Sequence, residues 1–228
     1  MARSQDRLAA LSRELGGEER AVPIAADLSL ASDRDRLAER LSALGAEVDI
    51  LVNCAGYGIY APFTATSRER EIDQVRLLVE AVVDQMARYL PGMVARRRGA
   101  VINLSSTAAF QALPYNAGYS AAKSHVLLLS EATHMEVKDQ GVTVTAVCPG
   151  PVPSGFQDAS DASYFAQRLP KFTFVSPERV VADSLKATRA GKISVIPGGP
   201  LVRVAFGPNR KMPRWLVLRV SQRMMARS

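Results

Sequence analysis

Tyr119 and Lys123 stand four residues apart in a stretch that reads as helix, so their side chains project from one face. Ser106 stands upstream, just past a short apolar run. A free phenol ionises near pH ~10, too high for a base at neutral pH. A nearby ammonium favours the phenolate and lowers that value. The tyrosine can then exchange a proton with a carbonyl or alcohol oxygen, while a serine hydroxyl holds the same oxygen. Spacing alone leaves a second reading open, because a tyrosine and a lysine four apart also form an ordinary helix-surface pair.

These groups need elements to carry them. Leu8, Leu11 and Leu15 have helical spacing over residues 5–15, and Gly16-Gly17 ends that run. Ala21 to Ala26 predicts a strand, Arg34 to Leu44 a helix ended by Gly45, and Val48 to Val52 a buried strand. One long helix is expected over 69–95, a strand over 100–104, a helix over 119–140 and a strand over 142–147. Ser176 caps a further helix with Pro177 at its first position, and 193–196 forms a last strand. Alternating strands and helices with unbroken apolar strands predict α/β architecture, a parallel sheet covered on both faces. The turns at Asp27, 53–56, Ser105-Ser106 and Pro149-Gly150 all follow strand ends, where such sheets bind ligands.

Composition narrows the class. The chain has 228 residues, 47% hydrophobic and 22% charged, enough for one α/β domain. Two cysteines, Cys54 and Cys148, make no disulfide framework and no zinc spacing; both read as buried packing, in a reducing cytoplasm. His125 and His134 share a helix without metal-binding spacing. No stretch is apolar enough to span a bilayer, and the charged N-terminus is not a secretory signal. The formal net charge of +7 falls entirely within residues 199–228, which hold seven basic residues and no acidic one. That argues against nucleic acid as a partner of the domain and divides the chain into a domain at 1–198 and a basic tail at 199–228.

The segment from Val101-Ile-Asn-Leu-Ser-Ser-Thr through Tyr119-Ser-Ala-Ala-Lys123 closely resembles the catalytic stretch of the classical short-chain dehydrogenases/reductases. Asn53-Cys-Ala-Gly56 is similar to that family's Asn-Asn-Ala-Gly motif, Cys148-Pro-Gly-Pro-Val-Pro-Ser154 to its Pro-Gly motif, and Ala26-Asp27-Leu28 to its adenine-contacting turn. The four occur in the family's order over nearly the whole chain. The resemblance implies a Rossmann-like, doubly wound parallel sheet and an NAD(P)-dependent oxidoreductase interconverting a carbonyl and an alcohol. It makes Tyr119 the general acid/base, Lys123 the group that tunes it and holds the nicotinamide ribose, and Ser106 the group that orients the substrate oxygen. Asn53, Ala55 and Gly56 would line the adenosine and central part of the cofactor site, and Asp27 and Leu28 the adenine. Pro149, Gly150, Val152 and Ser154 would hold the nicotinamide end. Arg3 falls where the family often places a base for the 2′-phosphate, so NADP(H) is expected over NAD(H), although a solvated terminal arginine would look the same.

Two departures accompany the resemblance. The family opens with a strand, a glycine-rich turn and a helix that receive the pyrophosphate, and no Gly-x-x-x-Gly-x-Gly occurs here. The expectation is a sheet lacking its first strand, that loop and most of its second strand, with weak cofactor binding. An upstream start, with Met1 mis-assigned, would explain this; a truncated remnant is the alternative. Second, Leu78 stands where the family usually has an asparagine that relays protons. A non-catalytic member, acting as an interaction subunit or at a membrane, is therefore the competing function.

Phe156, Tyr164, Phe165, Phe172 and Phe174 fall in the lid region and suggest an apolar small-molecule substrate. The helices at 69–95 and 119–140 are candidates for a homo-oligomer contact. As a helix, 214–227 sets Arg219, Arg223 and Arg227 opposite Val217, Leu218, Val220, Met224 and Met225, with Trp215 at the border. Such a helix either lies on an anionic membrane surface or docks on its own domain or a partner subunit with its arginines in solvent.

Overall fold

The computed structural model describes residues 1–156, 170–210 and 212–225. They form two compact units, 1–47 and 48–228. Tyr164, Phe165 and Arg227 lie outside the described residues, as do the side chains of Met224 and Met225.

In the first unit, α1 (Gln5–Glu14) stops where Gly16 and Gly17 take positive φ. A second helix, α2, spans Ala31–Ala43. The strand expected at 21–26 is not formed. Only an isolated parallel bridge joins Ala2 to Ala25, because this unit offers that segment a single facing residue rather than a strand.

The second unit holds a parallel four-stranded sheet in the order β1 (Ile50–Asn53), β2 (Gly99–Leu104), β3 (Val142–Val147), β4 (Ser194–Val195). Its helices are α3 (Arg68–Val75), α4 (Ala81–Ala95), α5 (Ala117–Val137), α6 (Pro177–Arg189), α7 (Pro200–Phe206) and α8 (Arg214–Met225). Parallel neighbours require crossovers, and the helices supply them. Register places Leu51 beside Val101 and Val101 beside Val144. That row packs with Val82 and Met86 of α4 and Val126 of α5. On the opposite face Ile102 and Val147 pack with Val180 of α6 and Val202 of α7. Both faces of the central strands are thus dry, which explains their unbroken apolar sequences.

Three expectations need correction. The helix read as continuous over 69–95 is interrupted by a π turn at Arg76–Glu80, which hydropathy does not signal. The strand at 48–52 is not buried throughout: Leu51 is covered, whereas Ile50 and Val52 are exposed, since β1 lies at one end of the sheet order. Cys54 continues that exposed side by the two-residue alternation and is exposed; Cys148 alone is buried. Other local signals hold. The Ser176 side chain accepts the Arg179 N–H at 3.2 Å, with Pro177 opening α6.

Gly141 turns the chain from α5 into β3 at φ +77°, and a Cβ there would lie 2.1 Å from the Arg97 carbonyl oxygen. Gly141→Ala is expected to cost about 2 kcal/mol or more, through strain and displacement of that backbone. Urea unfolding measures this, and an unchanged midpoint would contradict it.

Candidate active site

The central strands deliver the reactive groups. Where β2 ends, Ser105 donates its hydroxyl to the Lys123 carbonyl at 2.7 Å, tying the strand end to α5. Ser106 follows, and its side chain accepts the Ala108 N–H at 3.1 Å, capping the single turn at Thr107–Phe110. The Thr107 N–H donates to the Pro149 carbonyl at 3.0 Å, which holds the Ser105-Ser106 turn beside the Pro-Gly turn after β3.

On α5, Tyr119, Ala122 and Lys123 face inward and are buried. The Lys123 ammonium donates to the Leu104 carbonyl at 2.6 Å and lies 5.7 Å from the centre of the Tyr119 ring. The Ser106 side chain is near enough to the Tyr119 phenol to act on its proton, in the lowering direction. The structure therefore brings Ser106, Tyr119 and Lys123 together, and the ordinary helix-surface pair is not what forms.

The electrostatics differ from the expectation. Burial pushes the Tyr119 phenol well above its ordinary range, the neighbouring Tyr60 pushes it the same way, and Ser106 opposes them. Desolvation of the ring outweighs any pull from the lysine. Burial also brings Lys123 down to about 8, with Cys54 and Cys148 acting in the opposite direction.

The remaining cofactor candidates divide between the units. In the second, the Asn53 amide donates to the Asn103 side-chain oxygen at 2.8 Å, and the Asn103 amide donates to Ser130 at 2.8 Å. Gly56 approaches so closely that a Cβ would lie 2.7 Å from Leu78 and 3.8 Å from the Lys123 ammonium. At Gly150 a Cβ would lie 3.1 Å from both the Phe206 ring and the Thr173 carbonyl. Val152 packs in the core, while Ala55 and Ser154 are exposed. In the first unit, the Asp27 carboxylate accepts the Ser29 N–H at 3.0 Å and its hydroxyl at 2.7 Å, forming a tight turn. The Leu28 carbonyl accepts from buried Arg34 at 2.8 Å, and the exposed Arg3 guanidinium lies 4.0 Å from Asp27.

Sequence reasoning missed Tyr60 and Asn116. Burial pushes the Tyr60 phenol up to about 12, with the Asn116 amide pulling the other way. Asn116 occupies the N-cap of α5 yet makes no capping bond with its side chain. The residue type advertises a cap, and only the fold shows its side-chain amide buried with no hydrogen-bond partner among the described residues. Asn103 was also missed; it reads simply as part of an apolar strand. His134 proves structural, its Nδ1 2.8 Å from the Val144 carbonyl, and the described residues contain no metal-ligating cluster.

The chain matches the short chain dehydrogenase family over residues 1–164. The chain belongs to that family. As a family member it is an oxidoreductase with a fold that binds NAD(P). A very-long-chain 3-oxoacyl-CoA reductase of Bos taurus is 28% identical over 232 residues, covering 97% of this chain and 69% of that protein. A 3-ketodihydrosphingosine reductase of Bacteroides thetaiotaomicron is 34% identical over 125 residues, covering 55% of this chain and 46% of that protein. Among solved structures, a short-chain dehydrogenase from Sphingobium yanoikuyae in complex with NADPH is 25% identical, with a TM-score of 0.77 over 92% of this chain and 82% of that one. A 7β-hydroxysteroid dehydrogenase shares the fold, with a TM-score of 0.80 at 20% identity over 96% of this chain and 85% of that one. The doubly wound parallel sheet expected from the sequence is the one this dehydrogenase has.

Lys123 carries a linkage consequence. Its ordinary value of 10.5 falls to about 8 on folding. Between those values the unfolded chain binds a proton that the folded chain does not, so stability rises with pH across that window and is lost as pH falls through about 8. Lys123→Met is expected to raise the thermal midpoint by several degrees at pH 7, and the gain should shrink as pH climbs from 8 towards 10. An equal gain at every pH would contradict the buried ammonium.

Proposed function

We propose that the chain transfers hydride between NADP(H) and an apolar small molecule, interconverting its carbonyl and alcohol. The observation that carries the reading is the meeting of half-buried Ser106 with buried Tyr119 and Lys123 at the carboxyl end of β2. The cofactor supplies or accepts the hydride when bound. An ammonium has three donors, and the Leu104 carbonyl takes one from Lys123, which leaves donors for ribose hydroxyls. That donor set fits the nicotinamide end, with Pro149, Gly150, Val152 and Ser154 on the adjoining turn. Asn53, Ala55 and Gly56 serve the central part. In the first unit, Arg3, Asp27 and Leu28 are the residues that resemblance to the family assigns to the adenine, and the exposed Arg3 guanidinium suits a 2′-phosphate.

Tyr119 holds the proton. As a neutral phenol at neutral pH it donates to a carbonyl oxygen in the reducing direction, and the burial that raises it makes that transfer harder. Ser106 positions that oxygen. Phe156 lies against Tyr119, ring centres 5.7 Å apart, and gives the site an apolar wall. The similarity to reductases named for long acyl and sphingoid substrates supports an apolar molecule. Exposed Ile72, Val75 and Val83 on α3 and α4, with Leu128 and Met135 on α5, support a homo-oligomer. A second reading, a member impaired in catalysis, rests on Leu78 in place of a polar residue beside Tyr119.

Tyr119→Phe is expected to lower turnover by about a hundredfold or more while the Kd for NADPH changes less than about twofold. Full turnover in that variant would remove Tyr119 from the mechanism. In fluorescence titrations NADPH should bind more tightly than NADH, and Arg3→Ala should erase the difference. Tighter binding of NADH by the unmodified chain would overturn the cofactor preference.

A further inference from the structure

The basic tail carries an interaction surface that dehydrogenase chemistry does not use. Helices α7 and α8 each satisfy their packing along one line: Val202 on the first, Val217 and Ser221 one turn apart on the second. A helix docked only on its own body would finish with a polar outer face. These two do not. Leu201 and Val204, one turn apart on α7, are 68% and 71% exposed. On α8, Trp215 and Leu218 are 61% and 43% exposed, Trp215 on the side away from Val217 and Ser221 and Leu218 flanking them. Arg203, Arg219 and Arg223 are exposed among them, and the Arg219 guanidinium lies 5.7 Å from the Trp215 ring. Residues 199–228 contain no aspartate or glutamate.

We propose that α7 and α8 form a platform that docks on the headgroup layer of an anionic lipid bilayer. Large apolar side chains interleaved with arginines match that layer from both sides. Tryptophan prefers the interface, leucine and valine enter the acyl boundary, and arginines reach the phosphates. Each arginine near such a surface adds about fivefold to binding. No described helix is long and apolar enough to cross a membrane, so this is contact with one leaflet. An acidic protein face would satisfy the arginines but leave Leu201, Val204 and Leu218 unexplained unless it were also apolar. A second copy of this platform would bring like charges together.

Trp215 is the sole tryptophan, so its fluorescence reports the platform directly, independent of turnover. The 228-residue chain is titrated with phosphatidylcholine vesicles, with and without about one third phosphatidylserine. The expected result is a blue shift and co-sedimentation with the anionic vesicles only, both weakened by salt. The paired variant Arg219→Glu, Arg223→Glu should bind at least tenfold more weakly with an unchanged thermal midpoint. Leu218→Ser should reduce the blue shift while leaving the salt dependence in place. No shift with either lipid, equal binding to neutral and anionic vesicles, or a blue shift that follows protein concentration without lipid would each overturn the proposal, the last pointing to self-association.

Discussion

An ammonium group held inside a protein dictates what may surround it. Lys123 is 6% exposed. Burying an uncompensated charge is costly, so the neighbours must either solvate it or exclude competitors. The Leu104 carbonyl does the first at 2.6 Å, and it is available because β2 ends there. The Tyr119 ring gives the charge an aromatic neighbour at 5.7 Å. Ser105 fixes the turn of α5 that carries the lysine, by donating to its backbone carbonyl. The strand end, the helix and the close passage of Gly56 are therefore coupled through one side chain.

The sheet makes that coupling possible. Only strands that run parallel present all their carboxyl ends on one edge. Pairing of Gly99–Leu104 with Val142–Val147 along their whole length sets the level at which Ser106 and Pro149 emerge. The Thr107 to Pro149 hydrogen bond then joins the two turns. Asn53 extends the same edge through Asn103 to Ser130, so the turn after β1 is tied to α5 by side chains rather than by packing alone. Buried polar chains of this kind hold position only when each member is satisfied. Here every link has a partner inside the protein.

The sequence disclosed what depends on local pattern. Apolar runs separated by helical periods marked β2, β3, α5 and α6, and the Ser176-Pro177 signal marked the start of α6. Resemblance to the dehydrogenase family's catalytic stretch, and not spacing alone, pointed to Ser106, Tyr119 and Lys123 as one site. Long-range burial was not legible. Tyr60 acts on Tyr119 only because the segment after β1 folds back near α5, and no periodicity encodes that. The direction of the Tyr119 shift was equally hidden, since a nearby lysine is visible in sequence and the degree of desolvation is not. Residues 21–26 have the composition of a strand, yet a strand exists only with a partner along its length. Val52 and Cys54 look like core residues and are exposed because alternation along β1 sets them on its open side.

Leu78 joins these observations to the chemistry. It lies in the π turn between α3 and α4, almost fully buried, and packs with Tyr119 and Ala122. A polar side chain at that point would offer the lysine and the phenol a hydrogen-bonding neighbour. Leucine offers none, and its methyl group fills the space that a Cβ on Gly56 would need. The result is a drier site. Dryness acts in opposite senses on the two titrating groups, because it disfavours the charged form of each: the phenol rises and the ammonium falls. A phenolate has to form in these surroundings in either direction, as the product of proton donation or as the base for proton removal, so dryness raises the cost of the proton transfer whichever way the reaction runs. On this argument Leu78 deprives the site of a hydrogen-bonding neighbour and helps to leave Tyr119 a weaker acid than a free phenol.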